Sequence, residues 1–235
     1  MVKEQSLFSN LSSYAQAFLI CILFMSCSGD SFREPALKSA ALVGSSNAQA
    51  ELLKQATGNV FSLKIEGAKI LPEFTHEQIT SVCALAFYNE LHQDQREGNC
   101  YVQVEIAQEH GTPLKATYTC EELTIADRCI DNASSYFKWH PSNGLDSIRM
   151  VVDPTFFPDS ILEFMGQRIP SQDSADYQGI RTELVGFRAD SVANIPVLVL
   201  NTKVVKKEQT QLYDVYARYS SQQLLFVAAK LGKAK

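Results

Sequence analysis

The sequence lacks most of the short patterns that announce chemistry. Its six cysteines contain no C-x-x-C spacing, which argues against a structural zinc site. None of its four histidines (His76, His92, His110 and His140) stands in an H-x-x-x-H or H-E-x-x-H pattern, so all four are expected at the surface. G-x-S-x-G is missing, which removes the nucleophile elbow of a serine hydrolase. G-x-G-x-x-G and the P-loop are missing too, which removes the usual phosphate cradles. No long block of either charge occurs; 21 Lys and Arg stand against 26 Asp and Glu, a formal net charge of −5. A nucleic-acid binder would carry a clustered basic face, so no nucleic acid is expected as partner. No catalytic residue, metal or cofactor is assigned.

What is present is an ordinary globular composition, 46% apolar and 20% charged, with enough apolar residues for a real core. A length of 235 residues allows one large domain or two small ones.

The N-terminus reads as an address. Ala17 to Met25 are apolar without interruption, too few for the ~20 residues of a spanning helix. The run fits the apolar region of a signal peptide. It ends Phe24-Met25-Ser26-Cys27, a small residue directly before a cysteine. This segment resembles the lipobox of bacterial lipoproteins, although Phe24 stands at −3 where Leu is usual. The resemblance covers about the first 30 residues only. It implies cleavage before Cys27, diacylglycerol with palmitate-type chains on the Cys27 sulfur, and a place in the cell envelope. Ser28 after the cysteine implies the outer membrane; a secreted or periplasmic protein is the alternative. Residues 1–26 are then the signal, and 27–46, rich in Ser, Gly and Ala, the tether.

The rest divides at Pro141-Ser142-Asn143-Gly144 into 47–140 and 145–232, two α+β modules or one joint domain. A helix is expected from Asn47 to Thr57, then a strand over Phe61, Leu63 and Ile65. Thr75 with Gln78, and Thr119 with Glu122, form capping-box patterns. Each precedes an apolar stripe: Ile79, Val82, Cys83, Ala86, Phe87 and Leu91, then Leu123, Ala126, Ile130, Ala133 and Phe137. Between the helices two strands carry Val102, Val104 and Ile106 against Leu114, Ala116 and Tyr118. Their apolar sides share a face when paired positions sum to 220.

The second half reads as a strand over Ser147–Val152, a short helix near 158–166, and four strands near 177–189, 194–205, 210–219 and 222–231. The fold class expected is α+β, with helices packed on curved antiparallel sheets. The C-terminal order resembles the cystatin-like arrangement, with nuclear-transport-factor-2-like cones as a variant; this is an analogy of fold and not of function.

Apart from Cys21 and Cys27, four cysteines remain: Cys83, Cys100, Cys120 and Cys129. An even number in an exported domain invites disulfides. Cys120 and Cys129 on one helix would lie about 13 Å apart, too far for a bond. Cys100 and Cys120 fall on the 220 register, directly opposite each other. Cys83 and Cys129 are left as the second pair, provided their helices cover the same sheet face.

Three functions compete. The favoured one is a membrane-anchored envelope lipoprotein in which a non-catalytic domain binds an envelope protein or a small ligand. The second is a cystatin-like protease inhibitor, although the inhibitory Q-x-V-x-G hairpin is absent. The third is a small hydrolase or isomerase built on a cone-shaped pocket. Such a pocket would use aromatics such as Phe156, Phe157, Tyr213, Tyr219 and Phe226, which are otherwise core.

Overall fold

The computed structural model describes residues 31–69, 75–108, 111–139, 143–168, 179–207 and 209–229. The fold is α+β, with two four-stranded sheets, neither closed into a barrel. The first, sheet A, follows helix α1 (Arg33–Ala41) and contains strands β1 (Asn47–Gln55), β2 (Gly58–Ala68), β3 (Cys100–Gln108) and β4 (Leu114–Thr119), in that spatial order. Strands β2 and β3 run parallel; the other pairs are antiparallel. The parallel step is bridged by helix α2 (His76–Asn89) and the one-turn α3 (Gln93–Arg96).

Helix α4 (Cys120–Lys138) leaves sheet A, followed by the short α5 (Leu145–Arg149) and α6 (Asp159–Arg168). Sheet B is an antiparallel meander of β5 (Arg181–Val192), β6 (Ile195–Lys206), β7 (Gln209–Arg218) and β8 (Leu224–Ala229).

Both long helices start where their caps dictate. The Thr75 hydroxyl accepts from the Gln78 N–H, and the Gln78 side chain accepts from the Thr75 N–H, at 3.2 and 2.8 Å. Thr119 and Glu122 make the same reciprocal pair at 3.0 and 2.8 Å. Each box satisfies two N–H groups that the first turn otherwise leaves open.

Helix α2 packs on β3 and β4 of sheet A and on β5 of sheet B, while α4 touches strands of both sheets. The helices therefore form a middle layer. This explains why α2 is buried beyond its expected stripe: Thr80, Ser81, Ala84, Leu85 and Tyr88 are covered as well. The buried polar groups among them are satisfied. Thr80 Oγ1 lies 2.8 Å from the Tyr118 hydroxyl, and Ser81 Oγ accepts from the Phe187 N–H at 2.9 Å. A single buried cluster runs from Phe32 through Phe61, Phe87, Val104 and Leu123 to Leu198, Val215 and Leu224. The segments on either side of 141–144 share this core.

Three expectations about elements need correction. Residues 47–57 form not a helix but strand β1 and its turn into β2. Ala, Gln, Glu and Leu favour helix by only tenths of a kcal/mol each, and the register with β2 overrides them. Gly58, at φ +139°, begins β2; a Cβ there would lie within 3 Å of the Asn99 carbonyl.

Second, the segment expected as tether is folded from Phe32 onward. Helix α1 buries Pro35, Ala36, Ser39 and Ala40, and Phe32 packs edge-on to Phe61 at 5.6 Å between centroids. Small residues that suggested a linker instead allow the helix to approach α2 closely. Third, Ser147–Val152 is not a strand. It continues α5 into a turn, with Ile148, Val151 and Val152 buried at helical spacing, and only Val152 bridges to Leu224. The four strands and the α6 helix lie where the apolar pattern puts them, to within a few residues.

Candidate functional site

The cysteines sort into two kinds. Cys100 opens β3 and Cys120 opens α4, one residue beyond the Tyr101–Thr119 pair of the β3–β4 ladder. That ladder continues through Val102–Tyr118, Val104–Ala116 and Ile106–Leu114, so the pairing is the one the apolar faces require. It places the two cysteine Cα atoms 5.4 Å apart, and their sulfurs are joined as a disulfide. Both are nearly buried, at 3% and 4% exposure.

The second expected bond, Cys83–Cys129, does not form. Both are free buried thiols. Cys83 sits between α1 and α2, where its thiol donates to the Ser39 carbonyl at 3.7 Å. Cys129 faces the other way along α4, toward the Gln222 carbonyl at 3.8 Å in the β7–β8 turn. The helices do share the middle layer, but these two positions point to different neighbours within it. Burial pushes both thiols up to about 12, so neither is a nucleophile at neutral pH. Cys27, the expected lipidation site, lies outside the described residues, as do His110 and His140.

His76 and His92 are exposed, at the starts of α2 and α3. Among the described residues no group of His, Cys, Asp and Glu is arranged to hold a metal ion. Nor is any described helix long and apolar enough to cross a membrane.

The aromatics considered for a pocket part company. Tyr213 packs on Phe137 at 4.8 Å, and Phe157 on Tyr136 at 6.0 Å, as part of the core margin. Phe226 instead stacks on Tyr216 at 4.0 Å, packed against Val197, Val199 and Leu225 in a separate small cluster. The helix-facing side of sheet B is filled by Phe187, Leu198, Leu200, Val215 and Ala217, all buried.

Among the described residues one charged group is buried, in the turn between α5 and α6. Asp153 is 5% exposed; it accepts from the Thr155 N–H at 2.9 Å and from Arg218 Nε at 2.8 Å. Burial works against its ionisation, but the hydrogen bonds from Thr155 and Arg218 outweigh it and hold the carboxyl below the usual range. This pair ties the α5–α6 turn to β7. The sequence gives no local sign of this pair, because Arg218 lies 65 positions away.

Two open cavities stand out among the described residues. The larger, of about 680 Å³, runs along β1 and is lined by Arg33, Leu37, every residue from Ser46 to Glu51, Ser62 and Lys64. The smaller, of about 430 Å³, lies where α1, α2 and β5 meet. Its floor is aliphatic, with Val43, Ile79, Val82 and Leu184, and its mouth carries the Lys203–Glu183 ion pair at 2.8 Å. Neither cavity gathers the acid, base and nucleophile of a reaction centre. Comparison with family models, curated proteins and solved structures gives no match to this chain.

Proposed function

We propose that this chain is an exported lipoprotein, anchored to the bacterial cell envelope through Cys27, whose folded part binds rather than catalyses. The observation that carries the reading is the Cys100–Cys120 disulfide. Such bonds persist where thiols are not kept reduced, in the periplasm or at the cell surface. The apolar leader ending at Ser26-Cys27 supplies the route to that compartment. Acyl chains on Cys27 would supply the anchor, each buried methylene contributing about 0.8 kcal/mol.

The binding role rests on how space is used. The side of sheet B that a cone-shaped enzyme would leave open is occupied by Phe187, Leu198, Leu200 and Val215. The open space lies at the outer margins, along β1 and beside β5.

The test is metabolic labelling with an alkyne-tagged palmitate, together with membrane fractionation, of the wild type and Cys27→Ala. The wild type is expected to take up label and sediment with membranes. Cys27→Ala should take up none and either appear in the soluble envelope fraction or accumulate unprocessed. Label-free wild-type protein in the cytosol, with Cys100 and Cys120 reduced, refutes the proposal.

A further inference from the structure

We infer that the free edge of β1 accepts an extended, acidic segment of a partner protein as a fifth strand of sheet A. This deepens the binding role proposed above and rests on it only in treating the chain as a binding module.

Sheet A ends at β1. Which backbone groups of β1 are free follows from its neighbour. The Asn59 N–H donates to the Asn99 carbonyl at 3.0 Å, on the β3 side. Asn59 therefore faces away from β1, and its partner Lys54 faces away from β2. By alternation the N–H and C=O groups of Leu52, Ala50 and Ala48 also point outward. The ladder shows no register shift from Asn47–Glu66 to Gln55–Gly58, so the edge is straight and regular.

The cavity beside it supports the same conclusion. Successive side chains of a strand point to opposite faces. Six consecutive residues, Ser46 to Glu51, can line one cavity only if it follows the backbone edge. Ala48 and Ala50 carry single methyl groups there and leave room for a second backbone. Arg33 and Leu37 of α1 form the far wall. Strand edge and helix wall together make a groove suited to strand addition.

The other edges are blunted, as sheet proteins require. Helix α2 covers β5, where Ser81 takes up the Phe187 N–H and a Cβ at Gly186 would lie 2.4 Å from the Gln78 Cα. The start of β8 is bonded on both sides of Leu224 to Val151 and Asp153, at 2.9 and 2.8 Å. Strand β4 is only six residues long. Strand β1 has nine residues, with no proline and no bulge. Its one lysine, Lys54, lies beyond the groove.

Charge selects the partner. The groove presents Arg33 and Lys64 against the single carboxylate of Glu51. Neither cation makes an ion pair among the described residues, and both are exposed. An added strand bearing Asp or Glu would pair with them; one bearing Lys would be repelled.

The experiment uses the full-length purified chain and a fluorescein-labelled, end-blocked peptide of alternating Thr and Val carrying Asp on one face, with a Lys-for-Asp version as control. Fluorescence anisotropy is expected to show saturable binding of the Asp peptide, with the Lys peptide weaker by about two- to fivefold or more. Ala50→Pro deletes an outward N–H that serves no ladder bond, so folding should survive by circular dichroism while binding falls at least about tenfold. Arg33→Glu leaves the strand untouched and should reverse the preference between the two peptides. Failure of the Asp peptide to saturate, or equal binding by Ala50→Pro, overturns the inference. Dimerisation by sedimentation that Ala50→Pro abolishes also overturns it, because a second copy would then be the occupant. Lipidation plays no part in this assay, so failure of the anchor at Cys27 leaves its result unchanged.

Discussion

Removing the Cys100–Cys120 crosslink should cost this protein a large share of its stability. The bond spans a sequence separation of 20. Opening a loop of that size returns about 11 cal/mol/K of chain entropy to the unfolded state, or about 3.3 kcal/mol at 25 °C. Domains are stable by only about 5–15 kcal/mol in total. In a chain of this length the loss corresponds to a drop in Tm of about 7–13 °C. The suitable perturbation is the double substitution Cys100→Ala with Cys120→Ala. Both side chains are buried, and a single substitution would leave an extra free thiol in the core margin. Guanidinium unfolding can be followed through the sole tryptophan, Trp139, which is 6% exposed and donates to the Gly144 carbonyl at 3.1 Å. The midpoint should fall, and the slope m should rise slightly because the uncrosslinked chain exposes more surface on unfolding. Alkylation of the unfolded, non-reduced wild type should mark Cys83 and Cys129 but spare Cys100 and Cys120. Equal midpoints for wild type and double variant, or alkylation of all four positions, refute the reasoning.

Two further outcomes follow from close contacts. Gly186→Ala places a Cβ 2.4 Å from the Gln78 Cα, and neither backbone can give way cheaply; a loss of about 1–3 kcal/mol in thermal unfolding is expected, and an unchanged Tm would mean β5 does not press on α2. Asp153→Asn leaves Arg218 beside a neutral amide and should cost about 1.5–3 kcal/mol at pH 7. Because the folded Asp153 carboxyl titrates below its ordinary value, its contribution is full above about pH 4 and is lost as pH falls further. The gap between wild type and Asp153→Asn should therefore close in acid. A gap that persists undiminished at about pH 2 counts against an ionised Asp153–Arg218 pair.

Local and nearest-neighbour physics decided much of this protein from the sequence alone. The capping boxes at Thr75 and Thr119 could be read because their partners lie three residues away. The β3–β4 register, and with it the Cys100–Cys120 bond, could be read because setting Val102, Val104 and Ile106 directly opposite Tyr118, Ala116 and Leu114 also sets the two cysteines opposite each other. The sheet B meander followed from alternation in consecutive strands. The tertiary structure decided what depends on distant partners. Residues 47–55 prefer helix locally but become an edge strand because β2 offers a full ladder. The α1 segment has the composition of a linker, yet Phe61 and Phe87 give Phe32 somewhere to bury. Cys83 and Cys129 share a layer without meeting, and Arg218 finds Asp153 across the fold. The edge that β1 leaves open among the described residues belongs to the same class. No strand announces in its own residues which neighbour it will lack; that is set only when the sheet assembles and stops.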